Sequence, residues 1–331
     1  MVVKKVLLFS LVLVIAVSIL ASYPTRAVTL VIPWAAGGIT DRVGRALAPY
    51  LEKQLGVSVI VLNQAGASGA IGTDFVYSKP ADGYTLLLSA ETPGVFRVMG
   101  TGKLGFDNFE GIIMNVEDMK VVVVPGNSQF QTMDELVAAI KENPGKIKMS
   151  YSGPGASGHI QGLLLKEVGL DVSMTPFGGG SPSMLATISG QVDFTFGNIG
   201  TVLDYLKTGD LRALAVYTKG ERSPAIPDVP PIADAIPEMA RYLPLTFPNC
   251  ILVKEGTPPE IKQVILEAAQ KAVQDPGWIE FTEASFYTRM HDVQGDAVIE
   301  YWNRWTSIVT WLLYDAGVAP NSPADFGIER F

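Results

Sequence analysis

Three segments of this chain share one plan: an apolar run, a turn of small residues, then a helical pattern. Val28–Pro33 leads through Trp34–Gly38 to a helix opening near Thr40. Lys148–Ser152 leads through Gly153–Gly158 to a helix from His159. Val172–Pro176 leads through Phe177–Gly180 to a helix with Ser181 as N-cap and Pro182 as first helical residue. A fourth glycine-rich stretch, Asn63–Gly72, follows the strand Val57–Leu62. Strands that feed helices through short turns build mostly parallel, layered α/β structure. The turns also have chemical potential. The first N–H groups of a helix lack internal partners and sit at the positive end of its dipole, so they can hold an anion. Gly37 and Gly38 leave the backbone open to close approach by a ligand.

The remaining chain fits this architecture. Arg42–Leu55 has helical periodicity, with Val43, Leu47, Tyr50 and Leu51 on one face. Tyr84–Leu88 is a buried-type strand, and Asp82-Gly83 before it reads as a turn. Thr132–Asn143 opens with a Thr132–Glu135 capping box and stops at Pro144-Gly145. Gly209–Tyr217 reads as a strand, and Ser223–Pro237 as a proline-rich surface connection. Val121–Val124 is a wholly apolar strand, and Pro125-Gly126 after it reads as a crossing between domains; Ile251–Val253 is the return. Two crossings imply two α/β domains, residues 23–124 with 247–331, and residues 125–246. A helix to about Gln274 follows Thr257–Glu260, and a last one runs from about Asp296 to Ala316. In it Tyr301, Trp302, Trp305, Ile308 and Leu312 are spaced for packing.

Residues 1–22 read as a secretory signal: Lys4 and Lys5 precede the apolar run Val6–Leu20, with cleavage near Ala21–Ser22 and an uncleaved anchor as the alternative. Cleavage after residue 22 takes the formal charge from −8 to −10. That balance argues against nucleic acid or an anionic membrane surface as partner. Backbone dipoles can still capture a carboxylate without a basic surface. Cys250 is the single cysteine and lies in an apolar run, which excludes an intrachain disulfide and a thiolate cluster. The two histidines, His159 and His291, are far apart and make a poor metal site, and no cofactor is expected. His159 opens the helix after Gly153–Gly158, where structural and ligand-contacting roles both remain open.

Gly153–Gly158 formally matches GxGxxG, but Asp171 comes too early for the ribose-binding acid of a dinucleotide fold and precedes the next strand. Neither GxSxG nor GxxxxGK[ST] is present. Asp41, just inside a helix start, either rests on the dipole or orients loop amides, waters or a ligand hydroxyl or amine.

The blocks IPWAAGGITDRVGRALAPYLEKQLG, VLNQAGASGAIGTDFV, KPADGYTLLLS, SYSGPGASGHIQG, PFGGGSPSMLATISGQVDFTFGN, GDLRALAVYTKGERSPAIPDVPPIAD and VKEGTPPEI, taken in order, resemble the extracytoplasmic solute-binding proteins of tripartite tricarboxylate transporters, the Bug or TctC family. Glu91–Asn115 departs from the family pattern, which has a Tyr-Asp-Pro-like element near Gly105–Asn108, and Pro230-Pro231 stands where Pro-Thr is usual. The resemblance implies a type II periplasmic binding-protein fold and a monomeric, non-enzymatic periplasmic receptor. Such a receptor closes over a small organic carboxylate and delivers it to the membrane subunits of its transporter. A sensor for a membrane receptor kinase and an exported α/β hydrolase are the alternatives. The resemblance places the solute's carboxylate on Trp34, Ala35, Ala36, Gly37, Gly38, Ile39 and Thr40, with Asp41 beside them. The far end of the solute is expected to meet Ser152, Gly153, Gly155, Ser157 and His159, and Phe177, Gly178, Gly179, Gly197 and Asn198. Asn198 can donate and accept, which suits a selectivity role. Ala67, Ser68, Gly69, Ala70 and Ser89 are expected to line the first domain's wall.

Overall fold

The computed structural model describes residues 23–177, 180–243 and 245–330. The signal-like segment 1–22 and the loop residues Gly178 and Gly179 lie outside the described residues. Two five-stranded sheets organise the molecule. The first comprises β1 (Val28–Ile32), β2 (Val59–Asn63), β3 (Thr85–Ser89), β4 (Phe109–Met114) and β11 (Cys250–Lys254), in the order β2-β1-β3-β11-β4. The second comprises β6 (Lys120–Pro125), β7 (Lys148–Tyr151), β8 (Ser173–Pro176), β9 (Phe194–Asn198) and β10 (Leu211–Val216), in the order β10-β6-β9-β7-β8.

The two orders are the same pattern. In each sheet three strands run parallel (β1, β2 and β3; β7, β8 and β9), and one strand arriving from the other domain inserts antiparallel beside β3 or β9. That inserted strand is β11 in the first sheet and β6 in the second. The parallel strands connect through helices α1 (Ile39–Leu55), α2 (Ala70–Tyr77), α4 (Ser157–Glu167) and α5 (Gly180–Ile188), with α3 (Met133–Glu142) preceding β7 and α6 (Ile199–Thr208) following β9. Both sheets aim the carboxyl ends of their parallel strands at the space between the domains, where open α/β sheets bind ligands.

The strand order corrects one boundary. Val121–Val124 is paired within the second sheet, to β9 on one side and β10 on the other. The crossing therefore falls at Asn115–Met119, earlier than Pro125-Gly126, and residues 120–124 belong to the second domain. The two crossings are tied to each other: Asn115 N–H donates to Asn249 O at 2.8 Å, and Asn249 N–H to Val116 O at 2.8 Å. Asn249 also donates through its side chain to Thr40 Oγ1 at 3.2 Å, fixing the start of α1 to this hinge.

Helix α1 buries Val43, Leu47 and Leu51 against β1 and β3, as its periodicity requires. Thr132 caps α3 by accepting from Glu135 N–H, but the Glu135 carboxylate reaches Gln131 N–H, one residue before the cap. Helix α5 begins at Gly180, ahead of the expected Ser181 cap. The last helix, α9 (Asp296–Asp315), packs on β4 and also on α4 of the second domain. Its buried face is Val298, Trp302, Trp305, Val309 and Leu313, with Tyr301, Ile308 and Leu312 partly buried beside it and packed on the same core. Cys250 is fully buried, accepts from Trp302 Nε1, and burial pushes its thiol up to about 12, which makes it an inert core residue. Among the described residues no helix is long and apolar enough to cross a membrane.

Candidate functional site

The Trp34–Gly38 loop leaves β1 and enters α1 with Gly38 as the extended N-cap residue. Ala35, Ala36, Gly37 and Gly38 are exposed, while Thr40 and Asp41 are buried behind them. Gly37 sits at φ +87°, a region that L side chains rarely adopt. Asp41 determines the loop's shape. Its Oδ2 accepts from Gly37 N–H at 2.8 Å, and its Oδ1 accepts from Arg45 Nε at 3.0 Å and Asn63 Nδ2 at 2.9 Å. The same Asn63 amide donates to Trp34 O at 3.1 Å. Burial alone would raise the Asp41 carboxyl; the bonds from Gly37, Arg45 and Asn63 outweigh it and hold it below the ordinary carboxylate range. Asp41 therefore engages the loop through Oδ2 and is anchored to Arg45 and Asn63 through Oδ1, which makes it the device that orients the loop.

The second wall element follows β2. Ala67 and Ser68 lie in the left-handed region at φ 47° and 54°, and Gly69 at φ 100°. Non-glycine residues held there cost free energy and cluster at functional sites. A side chain at Gly69 would meet the Trp34 ring at 3.5 Å and Thr92 Oγ1 at 3.1 Å, so Trp34, Gly69, Ala70 at the start of α2, and Thr92 form one surface.

On the second domain, Ser152, Gly153 and Ser157 are half-buried at the end of β7 and the start of α4. Gly155 N–H donates to His159 Nδ1 at 3.1 Å. The His159 ring stacks on Tyr151, with centroids 4.7 Å apart and planes 12° apart. Burial lowers its pKa to about 4, so it is neutral at ordinary pH and holds the Gly153–Gly158 loop in place. Phe177 is half-buried, its N–H bonded to Tyr151 O at 3.0 Å.

Two expected residues are placed differently. Ser89 is fully buried and donates to Ala90 O, so its hydroxyl is spent inside the sheet edge. Gly197 provides packing space: a Cβ there would lie 2.5 Å from Val202 Cγ1 and 2.9 Å from Met184 Cε. Asn198 is half-buried at the end of β9. Its Oδ1 accepts from Lys120 Nζ, and its side chain also hydrogen-bonds Asp118.

A family model described as the tripartite tricarboxylate transporter family receptor matches residues 43–310. The chain belongs to this family. Protein BugT of Bordetella pertussis strain Tohama I is 29% identical over 303 residues, which cover 87% of this chain and 90% of BugT. The solved structure of the periplasmic binding protein BugD has a TM-score of 0.78 and 26% identity, covering 90% of this chain and 99% of BugD. MatC from Rhodopseudomonas palustris, solved with bound malate, has a TM-score of 0.74 at 24% identity and covers 87% of this chain and 100% of MatC, a likeness of fold. TctC and Bug proteins are periplasmic solute-binding receptors, not enzymes.

In this TctC receptor the interdomain space also holds charges that its sequence does not single out. Glu91 follows β3 on the first domain and is 9% exposed. Asp118 lies in the first crossing and Lys120 opens β6 directly after it. Burial raises Asp118 to about 7, against the opposing pull of Lys120, the Gly200 N–H, Asn198 and Arg42. Asp118 Oδ1 accepts from Gly200 N–H, and its Oδ2 is buried without a partner. Lys120 is partly buried, and its desolvation lowers its pKa while Glu91 and Asp118 raise it. The signal for these groups was weak because Glu117–Lys120 reads as a polar connection; only the crossing's position inside the molecule buries it.

Proposed function

We propose that this receptor binds a small organic carboxylate between its two domains and delivers it to the membrane subunits of a tripartite tricarboxylate-type transporter. The observation that carries the reading is the Trp34–Gly38 loop, an exposed backbone segment at a helix N-terminus, pre-shaped by the buried Asp41. Preorganised N–H donors cost little to align on a carboxylate, and closure strengthens each bond by excluding water. The malate bound in MatC fits the same chemistry. Solute bridging the domains favours the closed state, and the paired crossings at Asn115–Val116 and Asn249 are the hinge.

Gly38→Val tests the loop's role. Gly38 has an ordinary φ of −75°, and a Cβ there meets only Ala35 O at 3.8 Å, so valine fits the fold. It would stand between the loop and an incoming carboxylate. The variant is expected to keep its thermal midpoint within about 3 °C of wild type and to lose at least tenfold in carboxylate affinity by calorimetry. Unchanged affinity would place the site elsewhere.

A further inference from the structure

We infer that Asn249 is a positioning residue for solute binding: through its side-chain bond to Thr40 it sets the geometry of the Trp34–Gly38 loop from the hinge. This rests on the carboxylate-receptor reading above and adds to it a residue far from that loop in sequence. Asn249 ends the return crossing, directly before β11, and is 3% exposed. Its backbone belongs to the hinge. Asn249 O accepts from Asn115 N–H and Asn249 N–H donates to Val116 O, each at 2.8 Å. Its side chain belongs to the binding loop's base. Nδ2 donates to Thr40 Oγ1 at 3.2 Å, between two groups that are both buried. Among the described residues no other side chain bonds the Thr40 hydroxyl.

From Thr40 the path to the loop is short and every link is a covalent or hydrogen bond. Thr40 is the second residue of α1, two positions after the N-cap Gly38. Its neighbour Asp41 holds the Gly37 N–H at 2.8 Å through Oδ2. The body of α1 is fixed to the first sheet. Val43, Leu47 and Leu51 are fully buried, and a Cβ at Gly44 would lie 2.8 Å from Ile32 Cδ1 and 2.9 Å from Leu88 Cδ2. The first turn, held to the hinge by one amide, is the part that hinge rotation can move. Rotation changes the backbone dihedrals at the crossings, and Asn249 carries its amide with them. Hydrogen bonds weaken steeply with misalignment, so seating Thr40 correctly also aligns the loop's N–H groups on a carboxylate. By linkage, a solute that aligns those donors favours the hinge state in which Asn249 holds Thr40.

The test is a double-mutant cycle read by calorimetry on unfolded and refolded protein. The probes are acetate, butyrate, succinate, malate and adipate, and the tightest binder to wild type is used for the variants. Asn249→Ala and Thr40→Val each remove one end of the bond, and each is expected to weaken binding about fivefold. The double variant is expected to stay within about twofold of the weaker single variant, because both changes remove the same bond. Thr40→Ser keeps the acceptor and is expected to bind within about twofold of wild type. Asn249→Leu fills the space without a donor; it should match Asn249→Ala and carries the test if the alanine variant does not fold. A lower thermal midpoint with unchanged affinity in the folded Asn249 variants would show a purely structural role and overturn the inference. Losses that multiply in the double variant, or a serine variant as weak as the valine one, would also overturn it. Each of these results leaves the receptor reading intact. Failure of every probe to bind wild type would overturn both.

Discussion

Asp41 shows how one buried carboxylate can shape an exposed loop from behind. It takes the Gly37 N–H, the Arg45 guanidinium and the Asn63 amide, and Asn63 in turn holds Trp34 O. Asp41→Ala would strand buried donors and is expected to cost about 2–3 kcal/mol of stability. Because these partners hold the folded carboxyl below its ordinary value near 3.9, their contribution is fully present above that pH and is lost as pH falls through the lower folded pKa. The thermal-midpoint gap between wild type and Asp41→Ala should accordingly be constant from pH 5 upward and shrink below about pH 4. A gap that stays constant down to pH 2 would show that the carboxylate's charge does not hold the loop. His159 works in the same indirect way, neutral and stacked on Tyr151 while it accepts from Gly155. The small-residue loops were legible in the sequence as strand-to-helix turns because an apolar run, small residues and a helical pattern follow one another directly. The roles of Asp41 and His159 within them were not, since a carboxylate or imidazole near a helix start reads alike whether it faces a ligand or its own loop.

At the scale of elements, the sequence located eight of the ten strands in the two large sheets, because periodicity and turn chemistry are local, but it named neither β4 nor β9 and neither helix α2 nor helix α6. It misplaced the crossing because Val121–Val124 is equally apolar in either sheet. Only the pairing of β6 between β9 and β10 decides its membership. The misplacement also hid the charged cluster, since Asp118 and Lys120 then appear to lie at the end of a domain and not at the hinge. Asp118 makes that hinge sensitive to pH. Its folded pKa of about 7 lies above the unfolded value, so the fold favours the protonated form, and this group's contribution to stability declines as pH rises from about 4 to about 7. Asp118→Asn keeps an acceptor for the Gly200 N–H and removes the charge. Its thermal midpoint should exceed wild type by a few degrees at pH 8, with the difference fading towards pH 4. A difference that does not vary with pH would mean that Asp118 does not titrate in this window.

At the scale of the whole molecule, two sheets of one strand order face each other through the carboxyl ends of their parallel strands. They are joined by crossings that pair at Asn115, Val116 and Asn249. Helix α9 packs on both domains, so motion about the hinge must be accommodated along its contact with α4. The central claim is that a carboxylate bridges these halves. The most direct measurement is a thermal-shift titration of the mature protein, unfolded and refolded to remove carried-over solute, against small carboxylates with their methyl esters and amides as controls. A saturable rise of several degrees with at least one acid, absent with its ester and amide, is the predicted result. No rise with any acid, or an equal rise with the ester, would contradict it.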